Sequence, residues 1–94
     1  AHDPDLYPDH EYRYYLRFQT EARPGVLADL SRLLAEQNIS IASVTQPEGV
    51  EPVNVVIVTH MARESQLRAA LEAIQALPVV LAPPTSIRLE DGTP

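Results

Sequence analysis

The residues best suited to bind a ligand lie in the segment Arg23-Pro24-Gly25-Val26-Leu27, between a predicted β-strand and a predicted helix. Proline fixes φ near the helical value and lacks only an N–H group that a first helical turn leaves unpaired, so Pro24 is predicted to open the helix. Gly25 leaves the loop without a side chain. The free backbone N–H groups of such a helix start form a small site for a ligand carboxylate. The same residues also fit a simple strand-to-helix turn, and the motif alone does not separate the two interpretations.

A second group of candidate ligand-binding residues lies on a predicted strand at positions 39–46. This strand carries the small polar residues Ser43 and Thr45 and ends at Gln46. The side-chain amide of Gln46 donates and accepts hydrogen bonds at once, which suits a ligand with both a hydroxyl group and an amino-acid backbone. Gln46 equally fits an exposed polar residue before a turn. In the first interpretation, the loop at 22–26 and this strand line one pocket at a boundary between subunits.

Catalytic and metal-binding groups are sparse along the chain. His60 closes the third predicted strand, and no serine or aspartate is placed by the sequence to serve it, so a structural role fits it better than general-base catalysis. The first eleven residues contain four side chains that could collect a metal ion: His2, Asp3, Asp9 and His10. Their spacing provides no rigid set of ligands. The sequence therefore favours a binding module without catalytic residues or a metal site.

Composition excludes several other functions. The chain has 94 residues, enough for one domain, and its formal charge of −6 speaks against nucleic acid or an anionic membrane surface as a partner. The absence of cysteine excludes disulfides, thiolate catalysis and thiolate metal transfer. No apolar run reaches the ~20 residues of a transmembrane helix, and no signal-peptide pattern opens the chain. These properties favour a soluble cytoplasmic protein.

The elements that must position the candidate residues follow from the hydrophobic pattern. Residues 12–20 alternate between apolar and polar side chains, as a half-buried strand does. Apolar residues recur at helical spacing in 24–37 and 67–77, with Asn38 and Pro78 as the predicted terminators. The remaining segments are assigned as a leader at 1–11, strands at 39–46, 53–60 and 79–89, and a tail at 91–94. Two prolines, Pro83 and Pro84, interrupt the last strand.

The resulting order, βαββαβ, predicts an α+β fold of the ferredoxin-like type: a four-stranded antiparallel sheet with two helices on one face. Right-handed crossovers place the first and third strands in the centre and the second and fourth at the edges. An RNA-binding module of this topology would show stacking aromatic residues on its central strands, and the third strand has none. The uncovered sheet face and the free edge of the second strand predict self-association through one or both surfaces.

These residues resemble an ACT domain, a small ligand-sensing module attached to many enzymes of amino-acid metabolism. The resemblance spans residues 12–90, and within that class the chain is similar to the C-terminal regulatory domains of bacterial homoserine dehydrogenases. The matching segments are Arg13-Tyr14-Tyr15-Leu16-Arg17, Arg23-Pro24-Gly25-Val26-Leu27-Ala28, Ile39-Ser40-Ile41, Val44-Thr45-Gln46, Val58-Thr59-His60, Leu67-Arg68-Ala69-Ala70-Leu71 and Leu77-Pro78-Val79-Val80.

The resemblance implies a regulatory domain that binds L-threonine or another amino acid and forms a homodimer. It also implies that the parent enzyme's catalytic domain, which binds NAD(P), is a partner absent from this chain, so the chain needs no cofactor and is no enzyme by itself. The implied ligand-binding residues are Arg23, Pro24, Gly25, Val26, Asn38, Ile39, Ile41 and Gln46. Two residues depart from the family pattern, because Ala22 replaces the usual acidic residue and Pro47 replaces a common charged one.

The resemblance leaves two alternatives open. The chain could be the ACT domain of another enzyme, such as a serine-sensing phosphoglycerate dehydrogenase. It could also be an ACT domain that only holds subunits together. A panel of amino acids would separate the sensors from one another, and dimerisation without any binding would favour the oligomerising role.

Overall fold

Two helices cover one face of an antiparallel sheet in this protein, as the sequence predicts. The computed structural model describes residues 9–46 and 52–89. The elements are β1 (Glu11–Thr20), α1 (Val26–Glu36), β2 (Ile41–Thr45), β3 (Val53–Thr59), β4 (Ala62–Arg63), α2 (Glu64–Gln75) and β5 (Thr85–Leu89). The predicted tail at 91–94 and the first eight residues of the predicted leader lie outside the described residues. Strand β1 begins at Glu11, which the sequence pattern assigned to the leader.

The sheet order confirms the predicted central position of β1 and β3. Both β3 and β5 pair with β1 in antiparallel fashion, on its opposite sides, and β2 pairs with the outer side of β3. Leu16 lies between Ile57 of β3 and Ser86 of β5. Alternate residues of β3 are buried, as expected of a strand between two neighbours with one face under the helices.

The sheet contains a fifth strand that the prediction of four did not include. Ala62 and Arg63 form β4 and pair with Tyr12 and Glu11, at the start of β1. Strand β4 therefore continues the pairing of β3 with β1, after an interruption at His60 and Met61. A strand of two residues is too short to leave a periodic signal in the sequence, which explains why only four strands were predicted.

The core lies between the helices and the inward face of the sheet. It consists mainly of aliphatic residues, with Phe18 as its largest fully buried side chain. Thr59 is also fully buried, and its hydroxyl accepts a hydrogen bond from the backbone N–H of Tyr14 at 3.1 Å. This bond satisfies a β1 amide close to the point where pairing passes from β3 to β4. The inward-facing core residues are Tyr14, Leu16, Phe18, Val26, Leu30, Leu34, Ile39, Val53, Val55, Ile57, Ala62, Leu67, Ala70 and Ile74.

The start of α1 differs from the prediction, whereas its end confirms it. The helix begins at Val26, and Gly25 is its N-cap with φ 85° and ψ −6°. These angles match the third position of a type II turn, for which proline is the favoured preceding residue, so Pro24 precedes the helix instead of opening it. At the other end, Asn38 has a φ of 60°, and its N–H donates to the Ala35 carbonyl at 2.8 Å. The N–H of Ile39 donates to the Leu34 carbonyl at 3.0 Å, which completes a Schellman motif.

The second helix begins earlier than predicted because its first turn is capped by several groups. The Gln66 side chain accepts from the backbone N–H of Arg63 at 2.8 Å, and the Asp9 carboxylate accepts from the backbone N–H of Ser65 at 3.0 Å. The Ser65 hydroxyl also hydrogen-bonds to Asp9. The two hydrogen bonds from Ser65, first that of its hydroxyl and then that of its backbone N–H, lower the pKa of the Asp9 carboxyl below its usual value. The start of β1 is thereby tied to the start of α2.

Two predicted strands are shorter in the structure. Strand β2 begins at Ile41 because Asn38 and Ile39 complete the end of α1. The predicted strand at 79–89 was wrong in its first half, since β5 covers only Thr85–Leu89 and Val80 forms an isolated bridge to Thr20. Pro83 and Pro84 lack the N–H groups that a continuous ladder would need, which explains the break.

Candidate functional site

The loop between β1 and α1 exposes backbone groups at the end of the sheet where β1 finishes. No side chain caps the start of α1. Arg23, Pro24 and Gly25 are exposed, and the Arg23 guanidinium lies 3.1 Å from the Glu21 carboxylate. Val26, by contrast, points into the core. The Arg23 N–H already donates to the Glu21 carbonyl at 3.1 Å, so a ligand would meet the N–H groups at the start of α1 and the Arg23 guanidinium, but not the Val26 side chain.

Gln46 lies at the same end of the sheet as this loop. Strands β1 and β2 are both antiparallel to β3, so they run in the same direction. Thr20, the last residue of β1, pairs with Val53, and Thr45 of β2 pairs with Val56 nearby on β3. Gln46 follows Thr45 and is exposed. The structure thus brings Gln46 and the β1–α1 loop to one end of the domain.

The other predicted ligand-binding residues lie at the opposite end. Asn38 and Ile39 follow α1, whose 11 residues span about 16 Å. Ile41 pairs with Thr59, the last residue of β3. Asn38 is exposed and Ile41 is half-buried, whereas Ile39 is a core residue with 3% of its surface exposed. Within one chain, the predicted residues therefore form two separate groups.

Gly25 provides a test of the loop that does not depend on any ligand. A Cβ atom at this position would meet no other atom within 4 Å, so a substitution is opposed by the positive φ and not by a clash. We expect Gly25→Val to lower the free energy of unfolding by about 1–2 kcal/mol, because a β-branched residue is disfavoured in this conformation. Gly25→Asn is the matched control, since asparagine tolerates positive φ better. Urea denaturation measures both, and equal losses for the two variants would contradict the conformational explanation.

Other chemistry finds little support in the part of the chain that the structure describes. Within residues 9–46 and 52–89, no three histidine, cysteine, aspartate or glutamate side chains are grouped to hold a metal ion. His60 is exposed at the end of β3. No helix in those ranges is long and apolar enough to cross a membrane. At the two ends of α1, the domain exposes backbone N–H groups at Gly25 and the amide side chain of Asn38.

Comparison with known families agrees with this architecture. The family model described as "ACT domain" matches residues 14–79, which include both helices and most of the sheet. The chain belongs to the ACT domain family. This confirms the resemblance seen in the sequence motifs. An ACT domain from the GTP pyrophosphokinase of Chlorobium tepidum shares the fold with a TM-score of 0.61 at 11% identity, over 84% of this chain and 99% of that one.

This ACT domain is also similar to segments of homoserine dehydrogenases. A homoserine dehydrogenase from Corynebacterium glutamicum is 44% identical over 78 residues, which cover 83% of this chain and 18% of that protein. The crystal structure of a homoserine dehydrogenase from Thiobacillus denitrificans superposes with a TM-score of 0.79 at 42% identity, over 86% of this chain and 18% of that one. The chain spans about a fifth of the length of the curated relatives it matches.

Proposed function

We propose that this ACT domain is the regulatory part of a homoserine dehydrogenase and that it binds L-threonine. The observation that carries the proposal is the similarity to homoserine dehydrogenases along more than four-fifths of the chain. Such an enzyme reduces aspartate semialdehyde to homoserine with a nicotinamide cofactor, and threonine is an end product of that pathway. Threonine binding would provide feedback control of the threonine and methionine branch in the cytoplasm. The cofactor and the catalytic groups would belong to the rest of the parent enzyme.

The ligand's chemistry fits the groups that the two ends of α1 expose. The carboxylate of threonine would accept hydrogen bonds from the uncapped N–H groups at the start of α1. The amide of Gln46 would pair with the threonine hydroxyl, since it can both donate and accept. The side-chain carbonyl of Asn38 would accept from the ammonium group. Each polar group of threonine then has one partner of complementary character.

A homodimer would join the two groups of residues that a single chain separates. Strand β2 is an edge strand, and no described strand pairs with its outer side. Two-fold pairing of two β2 edges would run the strands antiparallel, so the start of one strand lies beside the end of its partner. Asn38 of one subunit would then approach Gln46 and the β1–α1 loop of the other. This arrangement gives two equivalent ligand sites at the subunit boundary.

Regulation would follow from unequal affinity for two arrangements of the paired domains. Threonine can shift the parent enzyme toward an inactive arrangement only by the difference in its binding free energy between the two. A coupling free energy of about 1–3 kcal/mol is typical of allosteric proteins and would suffice. A site shared between subunits is suited to such regulation, because a change in subunit orientation alters the geometry of the site directly.

Isothermal titration of the chain with L-threonine, alongside its mass in solution, tests this function. We expect a dimer that binds L-threonine more tightly than the control ligands L-serine, L-isoleucine and L-lysine. Preferential binding of L-serine would instead assign the domain to a serine-regulated enzyme such as a phosphoglycerate dehydrogenase. A dimer that binds none of these amino acids would contradict the sensor function and favour a purely oligomerising domain.

A further inference from the structure

A groove separate from the proposed threonine site runs between α2 and β5. It encloses about 350 Å³, at the lower end of the range of ~300–1,000 Å³ typical of small-molecule sites. It lies on the helix-covered side of the sheet, towards the end where β1 begins. The groove is lined by Tyr14, Glu64, Leu67, Arg68, Leu71, Ser86 and Arg88.

The groove exists because β5 presents polar residues where the other strands present core residues. Ser86 and Arg88 pair with Leu16 and Tyr14 of β1, so they share the inward face of the sheet. Neither fills the space under α2 as an aliphatic residue would. On the helix, Leu67 and Leu71 are one turn apart on the same side, and Leu71 is only half-buried. The sequence pattern did not reveal this groove, because β5 alone looks like an ordinary exposed edge strand.

Among the described residues, the charges in the groove leave one guanidinium without an anionic partner. Arg68 lies 3.5 Å from Glu64, so these two side chains pair with each other. Arg88 forms no ion pair with any residue in the described ranges. Its guanidinium carbon lies 4.4 Å from the centre of the Tyr12 ring, which holds the side chain over the sheet. An anion that enters the groove would therefore meet an oriented guanidinium that no carboxylate of the described chain occupies.

Tyr14 adds a polar group at the floor of the groove. Only 5% of its surface is exposed, and the residue lines the groove. Its hydroxyl makes no hydrogen bond with another residue in the described part of the chain. Burial, followed by the nearby Glu64 carboxylate, raises the pKa of this hydroxyl above its usual value. It therefore stays protonated and can donate a hydrogen bond at neutral pH.

We propose that the groove between α2 and β5 binds a small organic acid with a short apolar tail. The carboxylate accepts hydrogen bonds from Arg88 and from the Tyr14 hydroxyl, and the tail packs on Leu67 and Leu71. Arginine is well suited to this role, because its planar guanidinium can bind a carboxylate through two parallel hydrogen bonds. Leu71 is half-buried and Leu67 is a core residue at the edge of the groove, so together they provide an apolar wall for such a tail.

Heteronuclear NMR titration of the isotopically labelled chain with 4-methylpentanoate tests the site. We expect saturable shifts of backbone amides in α2 and β5, with the loop at 23–26 unchanged. Arg88→Gln should weaken binding about tenfold or more, because it removes a charge-assisted hydrogen bond. Tyr14→Phe should weaken it several-fold. Arg17→Gln removes an exposed positive charge on the opposite face of the sheet and is the matched control with unchanged affinity.

Two further ligands define the chemistry that the groove recognises. 4-Methylpentanamide keeps the tail and removes the negative charge, so it should not bind. L-leucine adds an ammonium group to the same skeleton. Tighter binding of L-leucine would identify an amino acid as the ligand class, with Glu64 as the added partner, and weaker binding would identify the plain acid. Absence of saturable shifts, or an Arg88→Gln variant that binds 4-methylpentanoate as the unmodified chain does, would overturn the proposal whatever the result with L-threonine.

Discussion

Replacing Gln46 with alanine is expected to weaken L-threonine binding by about ten- to a hundredfold and to leave thermal stability unchanged. The large effect on binding follows from the loss of a buried hydrogen-bond partner for the ligand hydroxyl once the site is occupied. Stability should not change, because Gln46 is exposed beyond the last residue of β2 and forms no hydrogen bond within the described residues. Isothermal titration measures the affinity, and a thermal melt measures the stability.

The matched control for this variant is Gln75→Ala. Gln75 is an exposed glutamine at the end of α2 and belongs to neither group of candidate residues. Its replacement removes the same side chain without approaching the proposed site, so affinity for L-threonine should be unchanged. Unchanged affinity in the Gln46→Ala variant would exclude Gln46 from the site. Loss of affinity in both variants would point to a general effect on the fold or the dimer.

The topology could be predicted from the sequence because apolar and polar residues alternate on β1, whereas β3 is apolar on both faces, as a central strand is. Leu16 and Phe18 of β1 are buried, and Arg17 between them is exposed. A one-residue shift of β1 would expose its apolar set, so this pattern specifies which face is covered. The end of α1 was predictable for a similar reason. Asn38 is one of the few residue types that adopt a positive φ readily, and it stands where the helical pattern ends.

The start of α1 could not be predicted in detail because two conformations compete for the same residues. Proline fits the first position of a helix and also the second position of a type II turn. Gly25 decides between them, since its positive φ is compatible with the turn and not with a helical residue. The predicted carboxylate-binding role does not depend on this difference, because α1 still begins with no side-chain cap. The α2–β5 groove was beyond prediction for another reason: it arises from the packing of three elements that are distant in sequence.

The candidate site illustrates a further limit of sequence patterns. The family resemblance joins residues from both ends of α1 into one set, whereas the fold of a single chain holds those ends about 16 Å apart. A ligand the size of an amino acid cannot bridge this distance. Either the two groups act separately, or a second subunit brings them together. The free edge of β2 favours the second possibility. This strand runs between the two groups of residues, and its edge can pair with the same edge of a second copy related by a two-fold axis.

Mixing two variants that each bind L-threonine weakly is therefore expected to restore sites of normal affinity. Gln46→Ala disables one half of each site, and Asn38→Gly disables the other half. Glycine accepts the positive φ of Asn38, so the second variant keeps the end of α1 intact. Each homodimer then lacks a complete site. A heterodimer carries both defects in one site and neither defect in the other, which binds L-threonine with normal affinity.

Random pairing of the two variants, after partial unfolding and refolding of an equal mixture, makes half of the dimers mixed, with one intact site each. Titration should then show about a quarter of the sites of the unmodified dimer, at unchanged affinity. The Gln46→Ala chain taken through the same procedure alone is the control. If both groups acted within one subunit, mixing would restore no sites, because every chain would still carry a defect. The number of recovered sites thus distinguishes a site shared between subunits from one that each chain completes alone.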